Sequence, residues 1–225
     1  MHDSQKHVIG LVFYPGMTAL DIVGPHQVFG VLPGVELHRI WKTLDPITCD
    51  DGLVMVPDTT FANCPSLDVI CVGGGLGQKA VVDDPEVLEF FRKQGKTAKF
   101  VTSVCSGAEF LANAGLLEGY RAATHWGMRE QLMEHQGIEV VNERVVVDRD
   151  RITGGGVTAG IDFGLTVASI LYDEETAKML QLLLEYDPAP PFDTGSPEKA
   201  GPELVEKAIF MMQQISSLDL AKPGS

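Results

Sequence analysis

No stretch of this 225-residue chain approaches the roughly 18–20 uninterrupted apolar residues that a membrane span requires. No basic cluster occurs either. With 31 acidic against 17 basic residues the net charge is −14, a field that repels a polyanion, so nucleic acid is not an expected partner. The four cysteines, Cys49, Cys64, Cys71 and Cys105, form no CxxC pair, and no histidine stands at metal-finger spacing from them. Neither the GxGxxG spacing nor the lysine of a phosphate loop is present, which argues against nucleotide binding. Internal repeats and low-complexity segments are missing too. The opening residues, Met1 to Lys6, are polar and run straight into a strand-like segment, unlike a signal peptide, so a cytoplasmic location is the expectation.

What the sequence does hold is an alternation of strand-like and helix-like segments. His7–Tyr14 is a short apolar run stopped by Pro15-Gly16, and Thr18–Leu32 carries helical periodicity, with Pro25 best placed near the helix start. Val35–Trp41 is a second strand, and pieces around Ile47 and Leu53–Val56 suit a hairpin. Leu67–Val72 is a buried-type strand ending in Gly73-Gly74-Gly75, followed by an amphipathic helix over Pro85–Lys96. Lys99–Val104 leads into Cys105 and a helix over Gly107–Leu117. Arg121–Thr124 is a short strand before a helix over Gly127–His135, and Val140–Val147 and Arg151–Thr153 flank an Asp-Arg-Asp turn. Gly154-Gly155-Gly156 opens a helix over Thr158–Tyr172, with further helices over Glu174–Tyr186 and Glu203–Leu218. This order predicts an α/β fold: a doubly wound, mostly parallel sheet flanked by helices, a flavodoxin-like sandwich. One domain over residues 1–197, with a C-terminal helical extension over 198–225, is the simplest division.

Ligands of open α/β sheets bind at the carboxyl ends of the strands. Four notable segments fall there: Asp21 to Pro25, the first Gly triplet, Cys105-Ser106-Gly107 and the second Gly triplet. Cys105 is delivered by a strand and followed by a helix of small residues, the arrangement of a nucleophile elbow. A helix N-terminus beneath it favours thiolate over thiol. The other three cysteines suit the role of small buried hydrophobes. Gly74 and Gly75 follow a buried strand, where a bare backbone can turn its amides towards a ligand. Asp21 stands among Leu20, Ile22 and Val23, and a carboxyl in such a setting has a raised pKa, suited to proton transfer near neutral pH; a helix-capping role is the plainer alternative. His125 lies at another strand end, with a structural role the stronger expectation.

These segments together resemble the ThiJ/PfpI superfamily, with its class-I glutamine-amidotransferase-like fold. The likeness runs from Val8 to about Pro197. L-D-I-V-G-P-H-Q-V-F (Leu20–Phe29), V-T-S-V-C-S-G (Val101–Gly107), A-T-H-W (Ala123–Trp126), T-G-G-G-V-T-A-G-I-D-F (Thr153–Phe163) and L-E-Y-D-P-A-P-P-F (Leu184–Phe192) resemble the branch that hydrates isocyanides. The resemblance implies conversion of R–N≡C to an N-substituted formamide through a covalent thioimidate, with no metal or organic cofactor. It assigns the nucleophile to Cys105, proton transfer to Asp21, and pocket contacts to Ser106, Gly74 and Gly75. Ser106 stands where that branch has Thr. The resemblance also implies a homodimer with its site near the interface. Rival expectations are a glyoxalase or deglycase of the same superfamily, disfavoured by Ser106 where several such relatives carry His, and a non-catalytic ligand or redox sensor.

Overall fold

The structure, a computed structural model, describes residues 6–219. Two compact units are distinguished, Met1–Leu184 and Glu185–Ser225.

The first unit is built on a seven-stranded sheet. Its strands are β1 (His7–Val12), β2 (Val35–Trp41), β5 (Thr59–Thr60), β6 (Val69–Val72), β7 (Phe100–Val104), β10 (Val145–Asp148) and β11 (Arg151–Gly154), in the spatial order β10-β11-β7-β6-β1-β2-β5. Every pairing is parallel except β10 with β11. The α/β sandwich expected from the sequence is therefore present. β6 and four of the five residues of β7 are buried, as continuous apolar strands covered on both faces must be. The hairpin is found as β3 (Ile47–Thr48) against β4 (Val54–Met55), antiparallel. Residues Val140–Val147 are not one strand. Their start joins β9 (Glu139–Val140), which pairs with β8 (Arg121–Ala122) in a separate two-stranded sheet, and the chain then breaks before β10.

The helices of this unit are α1 (Ala19–Gly30), α2 (Pro85–Gly95), α3 (Ala108–Asn113), α4 (Arg129–Met133), α5 (Ala159–Leu171) and α6 (Glu174–Leu183). Pro25 does not mark the start of α1; it lies inside the helix. Lacking an N–H, it offers no intrahelical donor to the carbonyl of Asp21 four residues back. Packing compensates. A Cβ on Gly160 of α5 would stand 3.0 Å from the Pro25 ring, so α5 approaches α1 closely at that turn. α3 is shorter than its apolar pattern suggests, because Gly115, at φ +75°, turns the chain out of the helix. Leu117 beyond the turn is still fully buried.

In the second unit, α7 (Pro197–Ala200) and α8 (Pro202–Asp219) follow the proline-rich segment. Among the described residues no helix is long and apolar enough to cross a membrane.

Candidate active site

Strands β1, β6 and β7 are neighbours in the sheet, so the segments that leave their carboxyl ends emerge side by side. After β1 comes α1 with Asp21, after β6 the Gly73–Gly75 loop, and after β7 the turn carrying Cys105. β6 lies between the acid and the thiol, and only a bare loop lets them approach each other. A Cβ on Gly74 would fall 2.2 Å from the Ser106 Oγ and 3.2 Å from Asp21 Oδ2. One on Gly73 would fall 2.7 Å from the Asp21 Cβ. Gly75, at φ +145°, adopts a backbone conformation open in practice to glycine alone.

Cys105 itself sits at φ +58°. A left-handed backbone at a non-glycine residue costs on the order of 1 kcal/mol or more and persists only where the surroundings hold it. Two features hold this one. Thr124 donates its hydroxyl to the Cys105 carbonyl at 2.9 Å. Gly107, whose Cβ would lie 2.4 Å from the Val72 carbonyl, lets the chain leave the turn directly over the sheet. Thr124 is positioned in turn by the buried Thr153, whose Oγ1 accepts the Ala123 amide at 2.8 Å. The strand–turn–helix geometry expected at Cys105 is thus present.

The electrostatics differ from expectation. Cys105 is 6% exposed, and its thiol is pushed well above the usual cysteine range, first by burial and then by the negative charge of Asp21. Hydrogen bonds with Ser106, from amide and hydroxyl, pull the other way and lose. Thiolate stabilisation by a helix N-terminus does not prevail here. The turn is a 3-10 segment, Cys105–Gly107, followed by a helix of only six residues, too short for a strong dipole.

Asp21 is fully buried, and burial raises its carboxyl to about 6 even though the Gly74 amide and Cys105 draw it down. Oδ2 accepts the Gly74 amide at 2.6 Å, whereas Oδ1 is buried with no well-formed hydrogen bond. The pair therefore behaves as two acids that resist ionising together. The capping alternative for Asp21 fails, because the residue lies within the first turn of α1 and the N-cap is Thr18.

Ser106 Oγ accepts the Gly75 amide at 3.3 Å. Thus the Gly74 and Gly75 amides hold the acid and the hydroxyl in place. His125 makes its hydrogen bond locally: its Nδ1 accepts the Gly127 amide at 3.2 Å, and the ring caps its own turn. Burial pushes the other three thiols up as well, to about 11 at Cys49, about 11 at Cys64 and about 12 at Cys71; what sets Cys105 apart is its strained turn and the carboxyl beside it. Sequence reasoning overlooked Thr124 and Tyr14. Tyr14, wholly buried, donates its hydroxyl to the Gly73 carbonyl at 3.1 Å and so anchors the glycine loop. Thr124 lies within a motif already noted, but its reach of nineteen residues back to Cys105 carries no sequence signal. Among the described residues no group of three His, Cys, Asp or Glu side chains is arranged to hold a metal ion.

A parallel α/β sheet with a strained cysteine at one strand end and a buried carboxyl beside it defines an elbow-type thiol protein. The DJ-1/PfpI family model matches residues 6–170, and the chain belongs to that family. It is 48% identical to the isonitrile hydratase of Pseudomonas putida over 89% of this chain and 87% of that protein. It is also 30% identical to the HTH-type transcriptional regulator GbdR of Pseudomonas aeruginosa over 80% of this chain, a match spanning half of the regulator's length. The crystal structure of a ThiJ/PfpI family protein from Pseudomonas syringae superposes with a TM-score of 0.90 at 44% identity, covering 95% of this chain and 88% of that one.

Proposed function

We propose that this protein is a hydro-lyase that hydrates an isocyanide to an N-substituted formamide, with Cys105 as nucleophile and Asp21 as proton carrier. The observation that carries this reading is the pairing of a buried carboxyl, raised to about 6, with the thiol of a strained elbow cysteine. The 48% identity to an isonitrile hydratase supports the choice of substrate class.

The isocyanide carbon is electrophilic towards a soft nucleophile. As sulfur bonds to it, the Asp21 carboxylate takes the thiol proton and returns it to that carbon, giving R–N=CH–S–Cys105. Asp21 then removes a proton from water as the oxygen adds to the same carbon, and that proton goes to nitrogen. The carbon–sulfur bond breaks with its electron pair moving to sulfur. The remaining hydroxyl proton returns to sulfur by way of Asp21, which leaves R–NH–CHO and the free thiol. A carboxyl that titrates near neutral pH suits both transfers. The Gly74 amide orients the acid, and Ser106, hydrogen-bonded to the sulfur, offsets part of the charge that develops there.

The working unit in this reading is a homodimer in the cytoplasm. Leu20 and Val23 of α1 and Leu53, Val54 and Val56 around β4 are exposed apolar side chains, the kind of surface a partner subunit covers. Val23 and Val56 share the rim of a cavity of about 300 Å³, which also places helix and hairpin together. Four free cysteines suit a reducing compartment. Every residue of the Cys105–Asp21 site belongs to the first compact unit and falls inside the 1–197 region assigned to catalysis.

Purified protein mixed with p-nitrophenyl isocyanide should release the corresponding formamide. Turnover of methylglyoxal without turnover of isocyanide would replace this reading with a glyoxalase one.

A further inference from the structure

Thr18, the N-cap of α1, belongs to a closed ring of hydrogen bonds around the acid. Its amide donates to the Gly74 carbonyl at 2.8 Å, the Gly74 amide donates to Asp21 Oδ2 at 2.6 Å, and the Asp21 amide donates to the Thr18 carbonyl at 3.2 Å. The Thr18 hydroxyl points out of the ring and donates to Asp50 Oδ2 at 2.6 Å. Asp50 follows β3, and its own amide donates to the Met17 carbonyl at 3.0 Å. The loop after β3 is thus tied to the start of α1 by two bonds at adjacent residues, one of them made by a carboxylate.

We propose that Asp50 is a positioning residue for the Cys105–Asp21 pair, fixing the Thr18–Gly74–Asp21 ring by its hydrogen bond and setting the proton affinity of the pair by its charge. The inference rests on the proton-transfer role assigned to Asp21 above. Ionisable groups face the Asp21 carboxyl from four directions: the Cys105 thiol from the elbow, Tyr14 beyond β1, Cys71 in β6 and Asp50 beyond β3. Burial holds the Tyr14 phenol and the Cys71 thiol in their neutral forms, the latter up at about 12. Asp50 is exposed, so of the three neighbours besides the nucleophile it is the one that carries charge at neutral pH. A negative charge beside a buried carboxyl makes the second ionisation harder, and Asp50 pushes Asp21 in that direction. A structural tether alone would have no such consequence.

Asp50→Asn keeps an oxygen for the Thr18 hydroxyl and removes only the charge, whereas Thr18→Val removes the bond and keeps the charge. The readout is the rate of Cys105 alkylation by iodoacetamide against pH, followed by peptide mass spectrometry, beside the pH profile of isocyanide hydration. In Asp50→Asn the inflection that Asp21 ionisation imposes on the alkylation profile should move to lower pH by about half a pH unit, the equivalent of about threefold in the ionised fraction of Asp21 below its midpoint, and the acid limb of the hydration profile should move with it. Thr18→Val should slow hydration through kcat without that shift. An alkylation profile in Asp50→Asn that superposes on wild type, at unchanged melting temperature, overturns the proposal. Alkylation needs no isocyanide, so a shifted profile in a protein that fails to hydrate isocyanides would sustain the role of Asp50 and sink the substrate reading instead.

Discussion

The Thr124 hydroxyl and the Cys105 carbonyl, nineteen residues apart in sequence, are joined by a buried 2.9 Å hydrogen bond that spans the strained turn of the cysteine. The bond fixes the backbone of the residue proposed as nucleophile. The cysteine at φ +58° is held from one side by this threonine and from the other by the absence of a side chain on Gly107.

Thr124→Val should therefore cost about 1–3 kcal/mol of stability, since it leaves a buried carbonyl without its donor. It should also lower kcat for isocyanide hydration more than it raises KM, because it disturbs the nucleophile rather than a binding surface. Urea unfolding and steady-state kinetics check the two parts. Gly107→Ala, which forces a carbon against the Val72 carbonyl, should yield little folded protein, as judged by circular dichroism.

Asp21 costs the folded protein stability near neutral pH. Its carboxyl is raised from 3.8 to about 6, so the ionised form is disfavoured in the folded state. The folded protein binds this proton more tightly than the unfolded chain does. The group's stabilising effect is thus present below about pH 3.8 and is lost as pH rises through 6. Near pH 7.5, Asp21→Asn should accordingly be more stable than wild type by roughly 1–3 kcal/mol. It should lose isocyanide hydration by at least a hundredfold, the usual scale for removing a positioned acid–base group. Thermal melts at pH 4 and pH 7.5 test the sign: the advantage of the variant should shrink at the lower pH.

His7 works the other way. It is buried at the amino end of β1, with neither ring nitrogen in a well-formed hydrogen bond and its ring edge-on to Tyr172. Burial, aided by the Lys99 charge, pushes its pKa below the usual 6.5. A neutral buried imidazole contributes stability above the unfolded pKa of about 6.5, and that contribution is lost as pH falls below it. The difference in melting temperature between wild type and His7→Phe should narrow or reverse between pH 7.5 and pH 5.

If α1 and the β3–β4 hairpin form the contact between two copies, Val54→Lys combined with Val56→Lys should convert the dimer to monomer in sedimentation velocity. The melting temperature of the monomer would then no longer depend on protein concentration. Sedimentation of the wild-type protein as a monomer at micromolar concentration would contradict a homodimer.

The sheet, its parallel pairing and the positions of Asp21, Gly74, Gly75 and Cys105 at strand ends were legible because they rest on local signals: apolar runs of strand length, glycine punctuation and a small-residue helix start. The helix boundaries were less legible. Pro25 is retained inside α1 because α5 packs on it through Gly160, a tertiary contact that local propensity does not contain. The thiol of Cys105 departs from the thiolate expectation for a related reason. Strand followed by helix suggests a thiolate, but whether burial and a neighbouring carboxylate outweigh a six-residue helix depends on three-dimensional proximity. Thr18, Tyr14, Asp50 and Thr124 act through bonds that connect distant segments, and no spacing in the sequence announces them.

The proposed hydration requires a covalent bond between the sulfur of Cys105 and the isocyanide carbon. Acid-quenched samples from the first turnovers with p-nitrophenyl isocyanide should carry one added isocyanide mass on the Cys105 peptide, and Cys105→Ala should show neither the adduct nor formamide. Formamide released by Cys105→Ala at the wild-type rate would contradict it.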